Sequence, residues 1–256
     1  MGLIMKLVRV IYVVYAAIIF LGIMFLILPP IFLASLLGKE KGGNIIFYFL
    51  RFWAHVWFPM AGMPVRRIYE CAPEDKEPCI YVVNHRSYLD AAIAVKVMRL
   101  PFRPLGKVEM SKIPFFGFIY KNSVVAVDRS NAPARARSVR EMMTALKAGI
   151  SILMFPEGTT NESDQPLRPF HNGAFRMAIE MQIPIKPVLY LDAGDRLPHT
   201  GPMNLNPGKC RVVFLPTIPV AGLTLDDIND LKQRVYEVMD SALRKHRHYP
   251  SLQHAG

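Results

Sequence analysis

The longest apolar stretch in the chain covers residues 10–38, which include no charged side chain. Roughly twenty apolar residues in a helix are enough to span the hydrocarbon core of a bilayer. Because proline lacks a backbone N–H and clashes with the preceding turn, the pair Pro29-Pro30 predicts a break in this helix. The stretch is too long for a cleaved signal peptide. Basic residues flank both of its ends, so the positive-inside rule gives no clear orientation.

A second apolar stretch covers residues 45–60 and is interrupted by Arg51. It is rich in aromatic residues, which suit the headgroup layer of a membrane when basic residues lie beside them. This pattern predicts an interfacial helix, and the alternative is a core helix of the main domain. We interpret residues 1–62 as membrane-anchoring helices and residues 63–256 as a separate folded domain.

Beyond residue 63, short apolar runs alternate with helical patterns. The predicted strands are Val65–Tyr69, Ile80–Val83, Ile185–Tyr190 and residues 124–127, 152–155 and 211–215. The predicted helices are residues 87–98, 132–148, 172–181 and 225–246. Alternation of this kind predicts an α/β fold in which helices cover a central sheet.

The chain combines a basic net charge with a high apolar content. Its 256 residues carry a formal charge of +11, and 52% of them are hydrophobic. This combination indicates an anionic membrane surface, an anionic substrate, or both. Nucleic acid is not expected as a partner, because the sequence has no zinc-finger spacing, RNA-binding aromatic signature or basic heptad region.

The three cysteines, Cys71, Cys79 and Cys210, form neither a CxxC pair nor an even set. Neither a disulfide framework nor a zinc site is therefore expected. A reducing location, with the folded domain facing the cytoplasm, fits this cysteine usage.

A histidine and an acid lie five residues apart, directly after the predicted strand Ile80–Val83. Histidine titrates near neutrality, and a carboxylate bonded to one ring nitrogen fixes the tautomer and raises the basicity of the other nitrogen. On a continuous helix His85 and Asp90 would point in different directions, so they can meet only across a turn. The spacing predicts a catalytic base. The alternative is a helix capping box formed by Ser87 and Asp90.

Three further polar groups follow predicted strands or lie in loops. They are Lys107-Val108-Glu109-Met110, Val127-Asp128-Arg129 and Phe155-Pro156-Glu157-Gly158-Thr159. Polar residues at successive strand ends converge on one edge of a sheet, which is where ligands bind in α/β proteins. Taken singly, each group also fits a structural role as an exposed ion pair, a solvated turn or a tight turn.

The order of these motifs resembles the four blocks of the glycerolipid acyltransferase family. The blocks are His85-x4-Asp90, then Gly117 with Asp128-Arg129, then residues 155–159, then Ile183-Pro184-Ile185-Lys186-Pro187-Val188. The resemblance implies a glycerol-3-phosphate acyltransferase-like fold, with a central mixed sheet flanked by helices and an N-terminal helical membrane anchor. It also implies an O-acyltransferase that moves a fatty acyl group to the sn-2 hydroxyl of 1-acylglycerol 3-phosphate, giving phosphatidic acid.

The resemblance implies that transfer is direct. His85 would remove the proton from the acceptor hydroxyl, and Asp90 would hold the imidazole and stabilise its charged form. Ser87 is close to His85, but an acyl-serine intermediate would make the acceptor hydroxyl redundant in the first step. The sequence contains no G-x-S-x-G or HExxH motif, so a serine hydrolase and a zinc hydrolase are disfavoured.

The resemblance also implies the binding residues. Arg129 would bind the acceptor phosphate through paired charge-assisted bonds. Glu157 and Gly158 would shape the acceptor pocket with Thr159, and Lys107 is a further candidate for contact with the thioester or the phosphate. No metal and no bound cofactor are expected, because acyl-CoA or acyl-carrier protein serves as co-substrate. The expected partners are a lysophospholipid, this acyl donor and membrane lipid.

The sequence departs from the family pattern at two places. Many members that form phosphatidic acid carry a basic residue directly after the Glu-Gly-Thr block, where this chain has Thr160 and Asn161. A second basic element often precedes the Gly-Ala pair, where this chain has Phe170-His171-Asn172. Loss of a fixed guanidinium removes a bidentate phosphate clamp. The residues that could compensate are Arg168, Arg176 and Lys186.

These departures leave two other functions open. One is acylation of a different acceptor, either a lysophospholipid with a larger headgroup or a lyso-aminolipid. The other is a membrane-bound lipid-binding protein without catalysis. The intact pair of His85 and Asp90 argues against the second, because a binding protein does not need an oriented base.

Overall fold

The computed structural model describes residues 2–72, 77–128 and 131–247. The helices are α1 Leu3–Ser35, α2 Gly43–Met60, α3 Asp90–Val97, α4 Phe116–Ser123, α5 Ala132–Lys147, α6 Gly173–Met181, α7 Ala193–Arg196 and α8 Ile228–Arg247. The strands are β1 Val65–Tyr69, β2 Ile80–Val83, β3 Phe102–Lys107, β4 Val125–Val127, β5 Ser151–Met154, β6 Ile185–Tyr190 and β7 Cys210–Phe214. A π-helical turn, Gly38–Gly42, joins α1 to α2, and 3₁₀ turns occur at Val108–Lys112, Pro202–Asn204 and Leu225–Asp227.

The seven strands form one mixed sheet in the order β1-β7-β6-β2-β5-β3-β4. Strands β6, β2, β5, β3 and β4 run parallel to one another, whereas β7 runs antiparallel to β6. Five adjacent parallel strands place their carboxyl ends along one edge of the sheet. This edge is where the sequence predicts that the polar motifs meet, and the mixed α/β sheet is confirmed.

Each face of the sheet is covered by helices. Side chains alternate along β2, so Tyr81 and Val83 enter one core whereas Ile80 and Val82 enter the other. The first core includes buried side chains from α1, α2, α3 and α4. The second includes buried side chains from α5, α6 and α8. The helices α1 and α2 therefore share a core with one face of the sheet.

The predicted break at Pro29-Pro30 is wrong, because α1 runs without interruption from Leu3 to Ser35. Each proline inside a helix costs about 3 kcal/mol, so the pair costs about 6 kcal/mol. Burial offsets this cost, since Ile27 and Ile31 pack in the first core on either side of the prolines. Each fully buried side chain of this size contributes about 1.5–3 kcal/mol. Tertiary packing thus keeps a helix that local sequence disfavours.

The outer face of α1 is apolar along its length. The segment Ile4–Ser35 is long and apolar enough to cross a membrane. Its inner face is held against α2, where the indole Nε1 of Trp53 donates to the carbonyl of Phe20 at 3.2 Å and that of Trp57 donates to Ala16 at 2.9 Å. The outer face includes the exposed residues Ile11, Ile18, Leu21, Phe25, Leu26 and Leu33.

Helix α2 has features of both alternatives, the core helix and the interfacial helix. Four of its aromatic side chains, Phe47, Trp53, Trp57 and Phe58, are buried in the first core. Two other aromatic side chains of α2 are exposed, Tyr48 and Phe52. The helix therefore serves as a core element on one side and presents aromatic residues to the surroundings on the other.

Three elements differ from the sequence prediction around the motifs. The helix expected over residues 87–98 begins at Asp90, because residues 84–89 form a non-helical turn after β2. The structure also contains β3 and α4, which the sequence pattern did not predict. Strand β3 ends at Lys107 and lies between β5 and β4, so it belongs to the edge that carries the motifs.

Candidate active site

His85 and Asp90 meet at the carboxyl end of β2. The ring Nδ1 of His85 lies 2.7 Å from Asp90 Oδ2. A carboxylate can only accept, so Nδ1 carries the proton and Nε2 keeps a lone pair. Asp90 is fully buried, whereas the side chain of His85 is 23% exposed. The arrangement orients an imidazole that can be reached from outside.

The turn between the two residues is held by Asp90 itself. Asp90 Oδ2 also accepts hydrogen bonds from the backbone N–H groups of Arg86 at 2.8 Å and Ser87 at 2.9 Å. Half of the predicted capping box is therefore present. The other half is absent, because Ser87 Oγ accepts the backbone N–H of Leu89 at 3.0 Å and not that of Asp90, while its hydroxyl donates to the carbonyl of Leu197 at 2.7 Å. The capping and the histidine contact use the same carboxylate oxygen.

The segment after β5 packs directly over His85. The ring of Phe155 stacks on the imidazole with centroids 4.3 Å apart and an interplanar angle of 23°. The backbone N–H of Asn161 donates to the carbonyl of His85 at 2.6 Å. Thr160 Oγ1 lies 3.4 Å from His85 Nε2, which is the free nitrogen. The residue that departs from the family pattern thus lies next to the base.

Glu157 is buried next to His85, and both oxygens of its carboxylate accept hydrogen bonds from backbone N–H groups. One oxygen accepts the backbone N–H of His85 at 2.8 Å, and the other accepts that of Arg168 at 2.9 Å. Burial raises the pKa of Glu157, and the two backbone N–H groups act in the opposite direction. Gly158 follows at a positive φ of 72° and closes a turn, with its N–H on the carbonyl of Phe155 at 3.0 Å.

Two residues that the sequence did not single out fix the chain around the histidine. Asn84 is fully buried and forms reciprocal bonds with the backbone of Tyr190, at 3.1 Å to its carbonyl and 2.7 Å from its N–H. It extends the contact between β2 and β6 just past the end of β2. Arg86 donates to the carbonyls of Ser163 and Gln165, each at 3.1 Å. Its guanidinium therefore holds the loop that follows Asn161.

The other predicted site residues occupy different positions. Thr159 is exposed in the turn beside Glu157. Lys107 is exposed at the end of β3, two strands from β2, and its carbonyl accepts the Tyr120 hydroxyl at 2.8 Å. Arg129 lies outside the described residues, two positions beyond the end of β4 at Val127. The structure thus brings together His85, Asp90, Glu157, Gly158 and Thr159, with Lys107 at the same edge.

The three basic residues that could replace the missing phosphate-binding guanidinium lie in different parts of the fold. The side chain of Arg176 is ion-paired with Glu180 at 2.8 Å, and Lys186 is buried within β6. The side chain of Arg168 is exposed, and its backbone N–H is the one that donates to Glu157. In the described ranges no group of three or more histidine, cysteine, aspartate or glutamate side chains could hold a metal ion.

Comparisons with known proteins found relatives in both sequence and structure. The acyltransferase family profile matches residues 65–191. The 1-acyl-sn-glycerol-3-phosphate acyltransferase of Escherichia coli is 31% identical over 191 residues, covering 72% of this chain and 75% of that protein. The acl-2 protein of Caenorhabditis elegans is 31% identical over 66% of this chain, which spans 60% of acl-2. The crystal structure of the acyltransferase PlsC from Thermotoga maritima shares the fold, with a TM-score of 0.74, 21% identity and coverage of 95% of this chain and 99% of PlsC.

Proposed function

Because this chain belongs to the acyltransferase family, we propose that it moves a fatty acyl group from a thioester donor to the sn-2 hydroxyl of 1-acylglycerol 3-phosphate, giving phosphatidic acid. The observation that carries the proposal is the 2.7 Å contact between His85 Nδ1 and Asp90 Oδ2 at the sheet edge. The name of the Escherichia coli relative supports this choice of acceptor.

The reaction follows from the free nitrogen of His85. Nε2 takes the proton of the acceptor hydroxyl while the hydroxyl oxygen attacks the thioester carbonyl carbon. Asp90 stabilises the imidazolium that forms. As the tetrahedral intermediate collapses, the carbon–sulfur bond breaks and the leaving thiolate takes the proton back from His85. One ester bond forms, one thioester bond breaks and the base is restored.

The acceptor is tested with a panel of lysolipids. Purified protein in detergent is incubated with labelled acyl-CoA and with lysophospholipids that differ in headgroup, together with a lyso-aminolipid, and the products are identified by mass spectrometry. We expect the fastest transfer to 1-acylglycerol 3-phosphate. Faster transfer to another acceptor would replace phosphatidic acid as the product and would retain the chemistry at His85.

Arg129 is proposed as the ligand of the acceptor phosphate, because it follows the end of β4 at the catalytic edge. Arg129→Lys keeps the charge but loses the planar fork that matches a phosphate. We expect the apparent KM for 1-acylglycerol 3-phosphate to rise about tenfold, which corresponds to one lost charge-assisted bond. The KM for the acyl donor should change less. A weaker donor affinity with unchanged acceptor affinity would assign Arg129 to the donor side.

We propose further that residues 1–62 anchor the enzyme at the membrane and that residues 63–256 form the acyltransferase domain, facing the cytoplasm. The apolar outer face of α1 supports the anchor. The lysolipid would reach His85 by lateral movement with its acyl chain still in the bilayer, and the soluble acyl-CoA or acyl-carrier protein would arrive from the cytoplasm. Removal of the whole segment is a poor test, because α2 contributes buried aromatic residues to the first core.

Polar substitutions on the outer face of α1 test the anchor without uncovering the core. Ile18 and Leu26 are both exposed. An aspartate at the centre of a bilayer costs about 3 kcal/mol. We expect Ile18→Asp/Leu26→Asp to release the protein from vesicles while transfer to detergent-dispersed substrate is retained. The matched control is Met203→Asp/Leu225→Asp, at two exposed apolar positions outside α1. If both pairs stayed on the vesicles after a high-salt wash, the principal anchor would lie elsewhere.

A further inference from the structure

A basic pocket lies at the edge of the sheet opposite His85. It is a cavity of about 300 Å³ at the amino-terminal ends of β3, β4 and β5, between these ends, α4, α5 and the π-helical turn Gly38–Gly42. Its basic residues are Lys39, Arg103, Lys121, Arg137 and Arg140. The catalytic residues lie at the carboxyl ends of the same strands, so the basic pocket is separate from the catalytic edge.

Arg103 is a buried cation in the wall of the basic pocket. It is 5% exposed, and its guanidinium donates to the carbonyls of Lys39 at 2.8 Å and Glu40 at 3.1 Å and to Asn44 Oδ1 at 2.9 Å. A side chain at Gly43 would meet this guanidinium, since a Cβ there would lie 2.5 Å from Nη2. The turn after α1 is therefore built around a buried cation whose hydrogen-bond partners here are neutral.

The charge balance of the basic pocket favours an anion. Two acidic side chains, Glu40 and Glu141, face its five basic ones, which leaves a net charge of +3. Glu141 is already paired with Lys39 at 3.1 Å. Arg137 and Arg140 project from α5 with exposed side chains. A phosphate group suits such a site, because it accepts several charge-assisted bonds at once.

The position of the basic pocket indicates where the anion comes from. Directly after α1, the exposed apolar surface continues with Leu36, which is 71% exposed, and with Leu37, which is 58% exposed. Lys39 follows two residues later. Basic clusters that directly follow a membrane-embedded helix contact anionic headgroups. A phospholipid bound here could keep its acyl chains on the apolar face of α1, whereas a docking protein would need a broad surface more than a cavity of this size.

We propose that the basic pocket binds the phosphate-bearing headgroup of an anionic phospholipid, at a site distinct from the acceptor site. The proposal rests on the membrane association proposed above. Bound lipid would tie the turn between α1 and α2 to α5 and would make attachment of the enzyme depend on the charge of the bilayer. Because the site lies away from His85, its loss should change attachment and leave the chemical step unchanged.

The test compares two double variants with equal loss of charge. Arg137→Gln/Arg140→Gln removes two cations of the basic pocket. Lys147→Gln/Arg234→Gln removes two cations that do not line it. Binding is measured by flotation with phosphatidylcholine vesicles that contain or lack phosphatidylglycerol. At about 1 kcal/mol for each basic residue near an anionic surface, the pocket variant should lose about thirtyfold in affinity for the anionic vesicles only. The control should stay near wild type.

Four results would overturn the proposal. Equal losses in both variants would indicate the overall charge of the protein, and no loss in either would show that the basic pocket is not used. If inorganic phosphate at constant ionic strength bound the wild-type protein but not the pocket variant in the absence of vesicles, while both double variants kept wild-type affinity for the anionic vesicles, the ligand would be a free anion. If the pocket variant kept its vesicle binding but lost transfer from acyl-carrier protein and not from acyl-CoA, the surface would be a carrier-protein docking site.

Turnover of detergent-dispersed 1-acylglycerol 3-phosphate tests the proposed function separately from the role of the basic pocket. Both double variants should match wild type in that assay. Lack of turnover in the wild-type protein would refute the proposed function, and the vesicle-binding comparison would still decide the role of the basic pocket.

Discussion

Replacement of His85 by alanine should lower acyl transfer by about 10²–10⁴-fold, because general-base catalysis contributes an effect of that size. The fold should survive, since the carboxylate of Asp90 still accepts the backbone N–H groups of Arg86 and Ser87 that hold the turn. The measurement is the initial rate of ester formation at saturating donor and acceptor, with thermal unfolding as the test of folding.

A second histidine provides the matched control for this substitution. His199 is exposed, and its closest acidic neighbour, Glu162, lies 3.9 Å away. His199→Ala should keep wild-type turnover. A folded His85→Ala protein with near-normal turnover would exclude His85 as the base, and an equal loss in His199→Ala would point to a general effect of the substitution.

Asp90→Asn should lower turnover by about 10²–10⁴-fold, with a smaller effect on the apparent KM of the acceptor. If the amide oxygen takes the place of Oδ2, it keeps the hydrogen bonds but loses the charge that stabilises the imidazolium. If the amide nitrogen takes that place, His85 Nδ1 has to accept and the proton moves to Nε2, which removes the lone pair from the site. Either orientation of the amide impairs the base.

The second oxygen of Asp90 adds a stability cost to this variant. Oδ1 is buried and has no hydrogen-bond partner among the described residues. An amide NH₂ in that position would be an unsatisfied buried donor, which costs about 1–3 kcal/mol.

A double variant tests whether Asp90 affects turnover through His85. If the two residues act as one unit, His85→Ala/Asp90→Asn should turn over no more slowly than His85→Ala, whereas a further drop of a hundredfold would mean that Asp90 acts independently.

The contact between His85 and Asp90 could be predicted because the two residues are close in sequence and their chemistry is specific. His85 and Asp90 are five positions apart after a clear strand, and a turn is the only way to bring them together. The residues that support His85 could not be found in this way. Phe155 lies 70 positions from His85, and Asn84 reaches Tyr190 across 106 positions. Such contacts depend on the order of strands in the sheet, which local pattern does not encode.

The strands that were predicted have apolar, β-branched sequences, and the one that was missed does not. Strand β3 contains Pro104, which lacks a backbone donor, and Gly106, which disfavours a strand. Gly106 is needed because the hydroxyl of Tyr120 lies close to it while donating to the carbonyl of Lys107, and a Cβ at Gly106 would clash with that hydroxyl oxygen. The strand is specified by tertiary contact, and its own residues favour a loop.

Tertiary packing also explains the two errors in the helices, the missed helix α4 and the predicted break in α1. Helix α4 begins directly after Pro114-Phe115, where Phe115 has a positive φ of 61° in a tight turn. In α1 the local signal at Pro29-Pro30 favours a break, and the buried neighbours Ile27 and Ile31 override it. Where tertiary packing and local propensity disagree, packing decides the outcome.

The central claim is that this chain makes phosphatidic acid with His85 as its base. The most direct measurement is the rate at which purified protein converts 1-acylglycerol 3-phosphate and labelled acyl-CoA into labelled phosphatidic acid, compared between wild type and His85→Ala at equal folded concentration. We predict steady formation of phosphatidic acid by the wild-type protein and a rate at least a hundredfold lower for the variant, the lower limit of general-base catalysis. Equal rates in the two proteins, or no labelled phosphatidic acid from the wild-type protein, would contradict the proposed function.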